Sequence, residues 1–429
     1  MSSNFGRLLS IGVLRNLRTR LEESMRVLTH QSVLGNIFKI NPLFSKRYSY
    51  TGLLNNLLYQ AGTVTLSLEK FDVIVVGAGP GGSAAAMKCA QNGFRTLILE
   101  KRRLPRDKVC TGMVMGEWAK SIIQEEFGDI PQRVLIDPEY LSGHMLHVPG
   151  IPAQVIECRT PIAWRKDLDL WMNEEATKEG VKIQDMTRVV AVSYDDRGCD
   201  LTVEDAEGRK EFRTRFLIGA DGATSVVRRS LFPTLKVRYS SPIRECYKGS
   251  LDIERDYCHW FFPKSLPRPR FALHHKGDFF LIEGSGIREL REDIRLTLAD
   301  YGFSANTQPL WRDGCAIPLL HKELITGAFS PARGNTLLVG DAAGLIFPIT
   351  FEGIGTALKS GLLAAEAITE TTGQGRKAGK IYLQKLGPLL SAIKKFHGLQ
   401  EDLSLAATKG ASELAKGLKE AYEETLKDI

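Results

Sequence analysis

No CxxC pair occurs anywhere in the chain, and the seven cysteines (Cys89, Cys110, Cys158, Cys199, Cys246, Cys258 and Cys315) are scattered. That excludes a disulfide framework and a paired-thiolate zinc site; no metal centre is expected, and the thiols read as reduced, in a cytosolic-type compartment. Long apolar runs are equally scarce. Only residues 48–68 lack charge for long enough to cross a bilayer, and Asn55, Asn56 and Gln60 make that window too polar for a span. It reads as a connector. Every early apolar run is interrupted by charge, so no secretory signal is expected. Internal repeats are also lacking. Acidic residues are rare in residues 1–50, where Glu22 and Glu23 face eight Lys and Arg, while the whole chain carries +7. The remaining body is therefore close to neutral, and no nucleic-acid partner is expected.

What the basic arm does contain is a helical pattern: Phe5, Leu8, Leu9, Val13, Leu14, Leu17, Leu21, Met25 and Leu28, with Arg7, Arg15, Arg18 and Arg26 largely between them. Three readings fit. A membrane-surface anchor buries the apolar face and sets arginines on anionic headgroups. A cleaved transit peptide is likewise Arg-rich, though Glu22 and Glu23 weigh against it. A helix packed on the body or on a second subunit is the third. The corresponding locations are cytoplasmic with peripheral membrane contact, or an organelle.

The chain is organised around residues 71–101. An apolar run at 73–76 leads into Gly77-x-Gly79-x-x-Gly82, an Ala-rich helical stretch follows, and a second apolar strand at 96–99 ends on Glu100. This is a βαβ dinucleotide fingerprint. Gly77 makes the tight turn, Gly79 lets backbone approach a pyrophosphate, and Gly82 permits close helix–strand packing. The helix N-terminus then faces the anion, and Glu100 takes ribose hydroxyls.

Further along, residues 103–112 form a loop dense in basic residues and turn formers, and 114–128 read as a helix. Short strands run through 140–158, an amphipathic helix through 167–179, and strands near 181–194, 200–204 and 212–218. The last delivers Gly219-Ala220-Asp221-Gly222. Residues 237–318 are mostly strand-like and aromatic, apart from a helix near 288–301. A buried strand at 335–340 ends in Asp341-Ala342-Ala343-Gly344, and a small-residue helix occupies 353–370. Residues 373–380 read as a linker, and 381–429 as amphipathic helix kinked at Gly387-Pro388.

Three motifs in one order, GAGPGG with Glu100, FLIGADGATSVVRR and TLLVGDAAG, resemble the flavoprotein fold shared by aromatic-ring hydroxylases, flavin-dependent halogenases and geranylgeranyl reductases; the match covers residues 71–370. The resemblance implies an α/β fold: a Rossmann-like FAD-binding domain, an interleaved antiparallel β-sheet substrate domain and a C-terminal helical segment. The FAD-binding parts would be 71–135, 161–236 and 321–372, and the substrate parts 136–160 and 237–320, between an N-terminal extension (1–70) and a helical region (373–429). It implies FAD, held by Gly77, Gly79, Pro80, Gly82, Glu100 and Lys101 on the adenine side. Asp221 and Gly222 would lie near the pyrophosphate, and Asp341 on the ribityl chain. A helix starting at Gly353 and Ile354 would aim its N–H groups at the flavin pyrimidine edge. Helix capping is the other role open to Asp221 and Asp341.

Arg106-x-Lys108-x-Cys110-x-Gly112 resembles the RxKxCG loop that lies over the isoalloxazine in such proteins, which adds Arg106 and Cys110 to the cofactor set. Residues 258–264, CHWFFPK, resemble the YxWxFPK box of geranylgeranyl reductases, and residues 314–319 resemble their later Ile-Pro segment. On this reading Cys110, Trp260 and Glu352 are the catalytic candidates. Packing in an ordinary core is the other role open to Cys110 and to the aromatic strand. Two positions depart from the family. Cys258 stands where the box has Tyr, and Phe351 stands where Thr-Gly-Glu-Gly has its first glycine. The incomplete WxWxIP box counts against halogenation.

The implied activity is FAD-dependent reduction of carbon–carbon double bonds in a polyprenyl lipid or quinone chain. The alternative is an FAD-dependent monooxygenase acting on an aromatic or polyketide-like substrate, and a third is a flavoprotein that only relays electrons. NAD(P)H and a reduced electron-carrier protein are both open as donor, since no second dinucleotide fingerprint occurs. His259 is a weak candidate for the proton donor, because alternation turns it away from Trp260.

Overall fold

The computed structural model describes residues 70–195, 197–262, 269–285, 287–304, 306–371 and 377–427. The basic arm, the uncharged connector, Pro263 and Lys264 of the aromatic box, and residues 373–376 of the expected linker lie outside the described residues.

In chain order, β1 (Phe71–Val76), α1 (Pro80–Gln91) and β2 (Thr96–Leu99) come first, then α2 (Glu117–Phe127), β3 (Leu135–His147), β4 (Gln154–Ala163) and α3 (Arg165–Lys178). Next are β5 (Lys182–Gln184), β6 (Arg188–Tyr194), β7 (Cys199–Asp205), β8 (Gly208–Gly219) and α4 (Val226–Leu231). The middle of the chain supplies β9 (Arg238–Ser240), β10 (Ile243–Lys248), β11 (Tyr257–Phe261), β12 (Phe271–Lys276), β13 (Phe279–Gly284), α5 (Ile287–Leu298), β14 (Trp311–Gly314) and β15 (Ile317–Leu319). It closes with α6 (His321–Ile325), β16 (Ala332–Arg333), β17 (Thr336–Leu338), α7 (Ile354–Thr371), α8 (Ala378–Lys385), α9 (Gly387–Lys409) and α10 (Ala411–Leu426).

β1 is buried along nearly its whole length, and a strand apolar on both faces needs neighbours and cover on both sides. It pairs in parallel with β2 and β8, and β17 pairs in parallel with β8. The sheet order is β16-β17-β8-β1-β2-β5, with the β6–β7 antiparallel pair attached through β7 to β8. The ends of β1, β8 and β17 therefore lie side by side, which brings the three glycine-rich motifs together. The second sheet has the order β14-β10-β13-β12-β11-β3-β4 and is antiparallel except for β11 against β3. Its strands come from two separate stretches of chain. Tyr422 of α10 packs edge-on against Trp260, with centroids 5.9 Å apart, and so backs the aromatic strand β11.

The C-terminal region differs from the single kinked helix expected from its sequence. A helix already starts at Ala378, where the Ala378 N–H donates to the Asn335 side chain and Gly379 N–H to the Gly334 carbonyl. These partners come from the β16–β17 turn, remote in sequence, so local composition does not reveal them. A further break falls at Gly410, whose φ of +127° suits glycine alone.

Candidate active site

A cavity of about 1150 Å³ runs between the ends of the parallel strands and one face of the second sheet. Its first wall is the fingerprint turn. Gly77 has φ +106°, and a Cβ there would strike the Ala220 carbonyl; a Cβ on Gly82 would strike the Gly77 carbonyl. Only glycine lets β1, β8 and α1 converge this closely. α1 begins with Pro80, and no side chain caps its N-terminus. Its first-turn N–H groups are thus available to an anion.

Glu100, at the end of β2, is buried and accepts from the Ala78 N–H (3.1 Å), the Arg102 N–H (3.0 Å) and Arg106 Nε (3.0 Å). Arg106 also meets Asp169 at 3.1 Å, and Asp169 is forked by Arg165 at 2.8 and 3.0 Å. Three buried charges, Glu100, Asp169 and Arg165, and the mostly buried Arg106 alternate in sign, so each desolvated group has a counter-ion. Arg165 and Asp169 are additions to the sites read from sequence. Their one legible signal is the Arg–Asp spacing of four residues on a helix face.

The loop carrying Cys110 is tied down at three points. Lys108 Nζ reaches Asp341 at 3.1 Å, Arg244 donates to the Cys110 carbonyl at 2.9 Å, and the Ala163 N–H donates to the Gly112 carbonyl at 3.1 Å. The Asp341 carboxylate raises the Lys108 pKa and keeps it cationic. Arg228 joins the two later motifs: it is fully buried and donates to the carbonyls of Ala223, Asp341 (3.2 Å) and Ala342 (2.8 Å). Asp221 takes up the N–H groups of Val226 (2.6 Å) and Val227 (3.2 Å) at the start of α4, so it does act as a helix cap. Its other oxygen is enclosed without a partner among the described residues, and burial pushes the carboxyl pKa up.

At the start of α7, Glu352 is buried and accepts the Gly355 N–H at 2.6 Å. This helix end, expected to face only the cofactor, thus spends one first-turn donor on its own carboxylate. Burial pushes the Glu352 pKa up to about 7 despite that bond. Next to it, Phe351 has φ +53° and remains 38 % exposed. The backbone keeps the left-handed shape a glycine would take, although the residue is aromatic.

Of the residues singled out from sequence, Gly77, Gly79, Pro80, Glu100, Lys101, Arg106, Cys110, Asp221, Gly222, Asp341, Glu352, Gly353 and Ile354 line this one cavity, and Trp260 lines it from the second sheet. Gly82 sits behind Gly77 instead. Trp260 donates to His144 Nδ1 at 3.1 Å. His259 lies on the opposite face of β11, 3.1 Å from His147 and 2.8 Å from the Glu254 carbonyl, with its pKa lowered by burial. It takes no part in the cavity.

A cradle that a Cβ would fill, an uncapped helix N-terminus and a buried acid at the end of the second parallel strand fit a dinucleotide, and the long cavity fits its continuation toward the second sheet. The chain is an FAD-dependent oxidoreductase with a Rossmann-type nucleotide-binding sheet. The family model described as FAD dependent oxidoreductase matches residues 72–235. The digeranylgeranylglycerophospholipid reductase of Methanococcus vannielii is 28% identical over 315 residues, spanning 71% of this chain and 78% of the relative. The chloroplastic geranylgeranyl diphosphate reductase of Arabidopsis thaliana is 27% identical over 349 residues, spanning 73% and 69%. In fold, a geranylgeranyl bacteriochlorophyll reductase-like protein from Thermoplasma acidophilum superposes with TM-score 0.66 at 19% identity, covering 83% of this chain and 91% of that one. The resemblance to geranylgeranyl reductases read from the motifs thus extends over most of the described chain.

Proposed function

We propose that this protein saturates carbon–carbon double bonds in the polyprenyl chain of a lipid or quinone. The observation that carries the reading is the shared cavity. One wall is the dinucleotide cradle, and the other is a sheet face with Trp260 and its cross-strand partner Ala272, where an apolar chain has room beside the cofactor. The relatives named above support the substrate class.

FAD, when bound and reduced, supplies a hydride equivalent. The chain's own residues bind and orient it. The α1 N-terminus takes the pyrophosphate, Glu100 and Lys101 the adenine-side ribose, and Asp221 with Gly222 lies on the pyrophosphate side. Asp341, held by Lys108, takes the ribityl chain, and Gly353 and Ile354 meet the flavin ring. Cys110 and Trp260 contact the substrate across that ring, while Glu352 sets the charge of its surroundings. Residues 71–135, 161–236 and 321–372 form the FAD-binding half, and 136–160 with 237–320 the substrate half.

The basic arm draws the protein to an anionic membrane surface, where such a substrate resides, or directs it to an organelle. No helix among the described residues is long and apolar enough to cross a membrane. Electrons reach the flavin from NAD(P)H or a reduced carrier protein.

The test is a single turnover without oxygen. The flavoprotein is reduced with dithionite and mixed with geranylgeranyl diphosphate or a digeranylgeranylglycerophospholipid in micelles. Flavin reoxidation with two hydrogens gained per reduced bond is the expected result. Flavin that stays reduced until air enters overturns the proposal.

A further inference from the structure

Reducing an isolated alkene needs a proton as well as a hydride, and the Tyr of the resembling aromatic box is Cys258 here, fully buried. The second sheet holds another acid. Cross-strand pairing sets Trp260 opposite Ala272, Ala272 opposite Glu283, Glu283 opposite Arg244 and Arg244 opposite Asp313. Directly paired residues share a sheet face, so these five form one row across β11, β12, β13, β10 and β14. All five line the cavity that also holds Cys110, Asp341 and Glu352.

Within the row the charges are unevenly matched. Arg244 grips Asp313 with both ends of its guanidinium, at 3.0 and 2.6 Å, and gives a third bond to the Cys110 carbonyl. Nothing similar reaches Glu283, whose Oε1 is enclosed without a hydrogen-bond partner among the described residues. The two buried glutamates that line the cavity are both bonded: Glu352 accepts the Gly355 N–H, and Glu100 accepts the Ala78 and Arg102 N–H groups and Arg106 Nε.

This inference rests on the reductase reading above: we infer that Glu283 is the proton donor to the alkene. In the step, one alkene carbon takes a hydride equivalent from the reduced flavin. The other takes the Glu283 proton, and the π pair becomes the new C–H bond. Glu283 is left as a carboxylate and regains its proton from water. The flavin ends two electrons poorer and is recharged by the NAD(P)H or carrier donor.

Burial pushes the Glu283 pKa up, which favours the acid form, while the nearby cations Arg244 and Lys276 oppose that shift. Lys276, fully buried on the same face of β12 and 2.9 Å from the Ala163 carbonyl, is pushed down by burial toward its neutral form. Between them on that face stands His274, also held neutral by burial, with both ring nitrogens unpartnered among the described residues. Asp313 on β14, Cys258 on β11 and Cys315 just after β14 are further titratable neighbours of Glu283. Ala272, paired directly with Glu283, supplies an apolar neighbour on one side, which favours the protonated acid.

The test compares wild type with Glu283→Gln and Glu283→Asp as flavin-loaded protein, using anaerobic reoxidation by geranylgeranyl diphosphate across pH. Wild type is expected to lose rate as pH rises through the pKa of the acid. Glu283→Gln is expected to keep flavin binding and dithionite reduction, to reoxidise about 100-fold or more slowly, and to lose that pH limb. Glu283→Asp retains the limb at a lower rate, and serves if the amide variant does not load flavin. A Gln variant with wild-type rate and limb overturns the inference and leaves the reductase reading intact. A wild type that never reoxidises with this probe overturns both.

Discussion

Phe351 is an aromatic residue in a glycine's conformation. A left-handed backbone costs a residue with a Cβ about 1–2 kcal/mol, and its ring, 38 % exposed, recovers only part of that through packing. Phe351→Gly is therefore expected to raise stability by about 1 kcal/mol, the reverse of an ordinary large-to-small change, read as a higher urea midpoint with unchanged slope. A lower midpoint would show that the ring is part of the packing. Glu352 gives a second prediction at this scale. Its folded pKa, about 7, lies above its unfolded value, so its contribution is fully present below the unfolded value. It is lost as pH rises toward and through 7. Stability should fall by on the order of 3 kcal/mol across that window, and Glu352→Gln should flatten the fall. Both residues were visible in the sequence as a departure and a candidate. Neither the positive φ nor the buried cap was visible, because both depend on how α7 docks.

At the scale of elements, α1 and α7 cross on small residues. A Cβ on Gly361 would strike the Gly81 carbonyl, and one on Gly81 would come within 2.8 Å of the Ala357 carbonyl. Gly361→Ala is expected to cost about 1–3 kcal/mol and to weaken flavin retention, since α7 would have to move off the fingerprint helix. Thermal unfolding with and without added FAD measures both effects; an unchanged melting temperature and full retention would contradict this packing. β1, α1 and β2 were legible because a continuous apolar run, three spaced glycines and a terminal acid each have a local cause. The start of α8 was not, since it is fixed by Gly334 and Asn335 of a distant turn. The Trp260–Glu283–Arg244–Asp313 row was not legible either. Each residue is unremarkable on its own strand, and only the register brings them together.

For the molecule as a whole, the chain leaves the parallel sheet, supplies β3 and β4 to the second sheet, returns, and leaves again for β10 to β14. The three glycine-rich motifs and the aromatic strand thereby border one cavity although they lie far apart in sequence. The order of motifs made the nucleotide-binding side readable, because each motif is a backbone requirement with its own residue pattern. The substrate side was readable only as an aromatic stretch, because its cavity-facing set is made by pairing between strands.

The central claim is that this cavity adds hydrogen to a polyprenyl chain and adds no oxygen. The measurement that tests it most directly is product mass after turnover of the reduced flavoprotein with geranylgeranyl diphosphate in heavy water under argon, with a parallel sample under labelled oxygen. Solvent exchanges with the flavin hydrogen and with the protein acid alike. The account predicts two deuterium atoms in each saturated bond under argon, and no labelled oxygen in the product of either sample. Product that forms only with oxygen present, and carries its label, would contradict it.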